Sequence, residues 1–206
     1  TIVSGRPIPF MQHIVEQMGV ILPAAGCNGA VVFDRSAVLE RHTFSLEPLR
    51  QLIEHVTTSG VTVLYYTDRD TFTFGETPWI VSQKGTIREY QVHCPSETEW
   101  RELPVTKLSL IFRGHAEAYR QVAPSLDQLG QHYSLNRYHN TNCEIMAAGI
   151  SKASGLHSIS RLTGIPLEQI MAIGDDVNDI GMLRCAGIGV AVNNAETVVK
   201  QAAGYV

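Results

Sequence analysis

Residues 170–183 read IMAIGDDVNDIGML: an apolar run meets Gly174, and positions 175–179 then hold three carboxylates, Asp175, Asp176 and Asp179, together with the amide of Asn178. An apolar run ending at a glycine is the pattern of a buried strand that delivers its end to a loop. The surroundings give that strand its setting. Before it, SKASGLHSISRLTG at 151–164 places Leu156, Ile159 and Leu162 on one helical face. After it, NDIGMLRCAG reads as a short helix, IGVAV as a second apolar strand and NAETVVKQAAG as a further helix. Continuous apolar strands alternating with helices belong to a parallel sheet covered on both faces. The fold class expected is therefore α/β, a Rossmann-like doubly wound parallel sheet.

That alternation starts only after Ala147. From 44 to 145 the pattern is different: LEPLRQLIEHVTTSG and AEAYRQVAPSLDQLG are helix-like, the second broken at Pro124, while GVTVLYYTD, KLSLIF and the pair within HYSLNRYHNTNCEIM are strand-like. The stretch from Thr71 to Pro104 is poorly patterned and is assigned no element. Residues 1–43 read as a strand end (TIVS), a helix opened by prolines and closed at Gly19, and two short strands around DRS. The organisation expected is a core made of 1–43 and 146–206, interrupted by an inserted α+β domain at 44–145.

Composition narrows the partners. In 206 residues, 16 Lys and Arg stand against 20 Asp and Glu, and the net charge of −4 offers no electrostatic footprint for nucleic acid or an anionic membrane. The partner expected is small, and the protein a monomer or weak homodimer. The four cysteines, Cys27, Cys94, Cys143 and Cys185, are scattered without a CxxC pair, which fits a reducing compartment. No apolar run has the length of a membrane span, roughly 18 residues, and no leader pattern opens the sequence. A cytoplasmic location is expected. The sequence starts without Met at a strand end and stops at AAGYV, where a strand would begin, so it reads as a segment of a longer protein.

In open α/β sheets ligands sit beyond the carboxyl ends of the strands, which is where Asp175 falls. Three carboxylates there repel one another, and a hard divalent cation, Mg2+, is the economical way to offset the repulsion. A calcium loop fails on register, because position 3 counted from Asp175 is Val177 and position 5 counted from Asp176 is Ile180. A dinucleotide loop fails because GIGVAV at 187–192 lacks the third glycine and opens a strand. For Asp176 a helix cap, and for Asp179 a first-turn acid favoured by the helix dipole, stand beside the functional reading. Lys152 follows the natural N-cap Ser151, so its cation sits where the helix dipole opposes it and an anion, such as phosphate, would suit, or it is simply a solvated charge. Ser4, before Gly5 at a strand end, can present a hydroxyl and a backbone N–H to a phosphate oxygen, or simply form a turn.

In order along the chain, SGRP at 4–7, NGA at 28–30, Lys152 in SKASGL, and GDDVND at 174–179 followed by GVAVNNA resemble the haloacid dehalogenase superfamily of phosphohydrolases, most closely its Cof-type, C2-capped branch. The resemblance implies a Mg2+-dependent phosphatase of small phosphorylated metabolites, with the inserted domain as a cap that sets specificity. It makes Ser4 and Gly5 phosphate binders and Lys152 the residue that neutralises the phosphate and an aspartyl nucleophile. It makes Asp175 the Mg2+ ligand, Asn178 a phosphate contact and Asp179 a partner of the metal through a second layer or a water. Arg69, Asp70, Arg113, His115, Arg137 and His139 are candidate cap residues. The DxDGT strand end whose first aspartate is the family's nucleophile does not occur in the sequence, and the expectation is that it precedes Thr1. A noncatalytic phosphate-binding relative and a phosphomutase of the same branch remain alternatives.

Overall fold

Proline placement sets the first helix. Pro7 is extended at its N-cap and α1 runs over Ile8–Gln17, burying Ile8, Met11 and Val15. The computed structural model describes residues 1–84 and 90–206. The chain divides into two compact units, one of Thr1–Arg41 with Gly149–Val206 and one of His42–Ala148.

In the first unit, β1 (Ala24–Gly26), β2 (Val31–Phe33) and β3 (Val38–Arg41) form an antiparallel sheet in that order. The DRS turn between β2 and β3 is closed by Asp34, whose Oδ1 accepts from Ser36 N at 2.7 Å and Ala37 N at 2.9 Å. Val3 joins this sheet through a parallel bridge to Ala25.

The second unit is α+β. It runs through α2 (Arg50–Thr58), β4 (Thr62–Tyr66), β5 (Thr71–Thr73), α3 (Pro78–Gln83), β6 (Gln91–Val92), α4 (Glu97–Glu102), β7 (Lys107–Ile111), α5 (Ala116–Leu129), β8 (Tyr133–Tyr138) and β9 (Asn142–Ala147). Its six strands are ordered β6-β5-β4-β7-β9-β8, antiparallel except for β5 with β6. Ile53 and Val56 of α2 and Val122 and Leu126 of α5 pack with Val63, Tyr65, Leu108, Leu110 and Ile145, one parity of the strands. Residues of the other parity include a buried ion pair, Lys107 Nζ to Glu144 Oε1 at 2.6 Å, which Tyr138 Oη joins by donating to Glu144.

Two expectations change here. Helix α5 runs through Pro124 instead of breaking there: the proline removes one internal hydrogen bond, but Ala118, Val122 and Leu126 stay buried on both sides of it and hold the helix together. The unassigned stretch 71–104 contains β5, α3, β6 and α4, short elements fixed by caps. Thr77 accepts from Ile80 N, and Ser96 and Glu99 form a capping box. Residues 85–89 of that stretch lie outside the described residues.

The chain returns to the first unit with α6 (Lys152–Thr163), β10 (Met171–Gly174), α7 (Ile180–Cys185), β11 (Ile188–Ala191) and α8 (Thr197–Ala202). Strands β10 and β11 are parallel, and Val190 bridges Tyr205 in the same sense. Leu156, Ala172, Met182, Leu183, Ala191 and Val199 form their core, each large aliphatic side chain contributing about 1.5–3 kcal/mol by burial. The expected α/β alternation is present, with helices α6, α7 and α8 alternating with the parallel strands β10 and β11. Met171 is 57% and Ile173 59% exposed, and among the described residues β10 pairs with β11 on one edge alone. No described helix is long and apolar enough to cross a membrane.

Candidate functional site

Helix α6 is started by Ser151, whose hydroxyl accepts from Ser154 N at 3.2 Å while Ser154 Oγ accepts from Ser151 N at 2.9 Å. The cap fixes Lys152 as the first helical residue. Its ammonium donates to Asp179 Oδ1 at 2.7 Å, both side chains being nearly buried. The anion that the misplaced lysine calls for is thus supplied, on the protein side, by Asp179.

The three acids that close β10 do three different things. Asp176 caps the turn Val177–Asp179, its Oδ1 accepting from Val177 N at 2.6 Å. Asp179, 3% exposed, turns back to the strand end, where its Oδ2 accepts from the N–H groups of Asp175 and Asp176, both at 3.1 Å. Both oxygens of Asp179 are therefore held by donors, and the buried charge is compensated. Asp175 alone of the three presents an exposed side chain, at the carboxyl end of β10.

Gly174 makes the return of Asp179 possible. A Cβ added at Gly174 would lie 2.6 Å from both Cβ and Cγ of Asp179, well inside van der Waals contact. Gly174→Ala is therefore expected to push Asp179 off Lys152 and lower stability by about 2–4 kcal/mol, combining overpacking with a loosened buried charge. Chemical denaturation of the variant beside the parent measures this directly, and an unchanged midpoint would contradict the packing described.

Ser4 and Gly5 lie on a second loop pair. Ser4 N donates to Ala25 O at 2.9 Å, Asn28 N to Ser4 O at 2.9 Å and Cys27 N to Arg6 O at 2.8 Å, so the Ser4–Arg6 turn is laced to residues 25–28. Ser4 Oγ accepts from Arg6 N at 3.3 Å. Cys27, Asn28 and Gly29 all take positive φ, at 50°, 57° and 95°. A Cβ on Gly29 would stand 2.3 Å from Ser151 O, so only glycine lets this loop touch the start of α6. Asn28 is fully buried, and its Oδ1 accepts from Asn178 Nδ2 at 3.1 Å.

The structure thus gathers Ser4, Gly5, Lys152, Asn178 and Asp179 around loops of one unit, with Asp175 at its strand end. Asn28 joins them as a residue to which the sequence pattern gave no role. The legible signal was Asn before Gly in CNG, a pair suited to left-handed backbone. The candidate residues Arg69, Asp70, Arg113, His115, Arg137 and His139 belong to the other unit. There, Arg137 donates to Asp127 at 2.7 Å and Asp70 accepts from Gln91 at 3.1 Å.

The donor set bears on a metal. Among the described residues no group of three or more His, Cys, Asp and Glu is arranged to hold an ion. Mg2+ does not require one, since it keeps several waters and is commonly held by one or two carboxylates together with substrate phosphate. An exposed hard-oxygen donor at Asp175, backed by a fixed Asp179, fits such a partial site.

Known proteins are similar to this chain. The 5-amino-6-(5-phospho-D-ribitylamino)uracil phosphatase YcsE of Bacillus subtilis is 46% identical over 66 residues, 32% of this chain and 26% of that protein. Pyridoxal phosphate phosphatase YbhA of Escherichia coli is 28% identical over 226 residues, covering 100% of this chain and 79% of its own length. The solved structure of a subclass IIB sugar phosphatase superposes with a TM-score of 0.80 at 25% identity, covering 100% of this chain and 78% of its own. This chain spans about half or less of the length of several curated relatives that it matches. The family profile of the haloacid dehalogenase-like hydrolases matches residues 1–206 from end to end. With that profile covering the whole chain and the fold in agreement, the chain belongs to the haloacid dehalogenase-like hydrolase family.

Proposed function

We propose that this chain is the greater part of a Mg2+-dependent phosphatase of small phosphorylated metabolites, sugar phosphates or similar molecules. The observation that carries the reading is the Lys152–Asp179 pair, held at 2.7 Å beside the end of β10. It keeps a cation in the first turn of a 12-residue helix, where backbone N–H groups also favour an anion. The resemblance to phosphatases of a phosphorylated ribityl compound, of pyridoxal phosphate and of sugar phosphates supports the substrate class.

In this reading the Ser4 hydroxyl and the Gly5 backbone receive phosphate oxygens, Lys152 neutralises them, and Asn178 adds an amide contact. Asp175 would hold the metal, and Asp179 would be its partner while keeping Lys152 oriented. Mg2+, when bound, supplies charge neutralisation at the phosphoryl oxygens. The attacking carboxylate would be an aspartate of the family's DxDGT pattern, which these 206 residues do not contain; its oxygen would bond to phosphorus as the P–O bond to the substrate alcohol breaks and the alcohol leaves, and water would then cleave the aspartyl-phosphate to free the carboxylate and inorganic phosphate. The unit His42–Ala148 serves as the cap that selects the substrate.

The test is hydrolysis of a generic aryl phosphate by the purified full-length protein, with Mg2+ and with EDTA. Release of phosphate with the metal and its loss with the chelator is the expected result. No turnover under either condition, despite binding of inorganic phosphate, would turn the reading to the noncatalytic relative.

A further inference from the structure

We propose that Asn28 is a positioning residue of the phosphate site, locking the Ser4–Gly5 turn to Asn178. The inference rests on the phosphatase reading and names a part of its machinery. Asn28 has two explanations, and the geometry separates them. As a turn residue it would be needed for its backbone alone, since φ 57° and ψ 32° is a left-handed conformation that asparagine tolerates. Glycine would serve that purpose equally, and an amide side chain would then be expected to face solvent. Instead the whole residue is buried, which is costly for an amide unless its polar atoms are engaged.

They are engaged with two segments far apart in sequence. Oδ1 accepts from Nδ2 of Asn178, 150 positions away, and the same oxygen lies 2.9 Å from where a Cβ on Gly5 would stand. The backbone N–H of Asn28 donates to Ser4 O, and its neighbour Gly29 touches the first turn of α6 through Ser151 O. One buried side chain therefore sits among the serine loop, the asparagine of the acidic loop and the helix that carries Lys152. Moving it changes the spacing between groups that must contact one phosphate together. Misplacement of such groups is felt in turnover more than in stability.

Three variants of the full-length protein test this, with aryl phosphate hydrolysis and thermal unfolding as readouts. Asn28→Gly keeps the left-handed turn and removes the amide; kcat/KM is expected to fall at least about tenfold, with most of the loss in kcat. Asn28→Asp keeps the shape and an acceptor for Asn178 but buries a charge near the phosphate; it is expected to recover part of kcat with a raised KM and a lowered unfolding temperature. The double variant Asn28→Gly with Asn178→Ala is expected to lose less than the product of the two single losses, since each removes the same contact. If the parent turns over substrate and Asn28→Gly matches it within twofold, or the two losses simply multiply, the positioning role is overturned. If the parent is itself inactive, the phosphatase reading fails instead.

Discussion

Replacing Lys152 by alanine should both unfold the protein more easily and stop its turnover. The ammonium and the Asp179 carboxylate are nearly buried and 2.7 Å apart, so deleting one leaves the other as an uncompensated interior charge. Such deletions cost about 3–5 kcal/mol. The two backbone N–H groups on Asp179 Oδ2 remain and keep the loss toward the lower end. For a domain of this size that corresponds to a fall in Tm of roughly 6–15 °C. Turnover should fall by at least about 10²–10³, the usual consequence of removing one preorganised group from a developing phosphoryl charge. Adding Asp179→Asn to Lys152→Ala removes the orphaned charge and should restore part of the stability without restoring activity. Parallel calorimetry and phosphate release measure the two effects. A Lys152→Ala protein with unchanged Tm and unchanged rate would show that the pair neither supports the fold nor meets the substrate.

Asp175→Ala should separate those effects. Its side chain is exposed and the described contacts of Asp175 are made by its backbone N–H, which alanine retains. Removing one of three neighbouring carboxylates also relieves like-charge repulsion, so the Tm is expected to stay level or rise slightly. Turnover, by contrast, should fall on the order of 10⁴-fold, because a member of a cooperating catalytic set is lost. Any residual rate should no longer respond to Mg2+ between micromolar and millimolar concentrations. Normal activity, or an undiminished Mg2+ response in the variant, would place the metal elsewhere.

The resemblance already gave Asp175 and Asp179 different places at the metal, but the burial of Asp179 against Lys152 was not legible in GDDVND. What separates them is that Gly174 lets Asp179 fold back under Lys152, a tertiary contact across 27 positions. Lys152 gave a local signal, since a cation after an N-cap serine opposes the helix dipole, but one that a solvated surface lysine gives equally. The α/β alternation after Ala147 was also legible, because apolar strands and amphipathic helices carry different periods. Pro124 misled for a physical reason: the helix loses one hydrogen bond there but keeps the buried face that holds α5 to its sheet. The role of Asn28 stayed hidden because its partners, Ser4 and Asn178, lie 24 and 150 positions away and a left-handed Asn reads locally as a turn.

The approach of Gly29 to the start of α6 limits which substitutions this chain can accept. A Cβ at Gly29 would stand 2.3 Å from Ser151 O, and one at Gly155 would stand 2.9 Å from the Cα of Gly29, so the loop and the helix meet backbone to backbone. Under selection for a folded product, random mutagenesis of the pair is therefore expected to return glycine at both positions together.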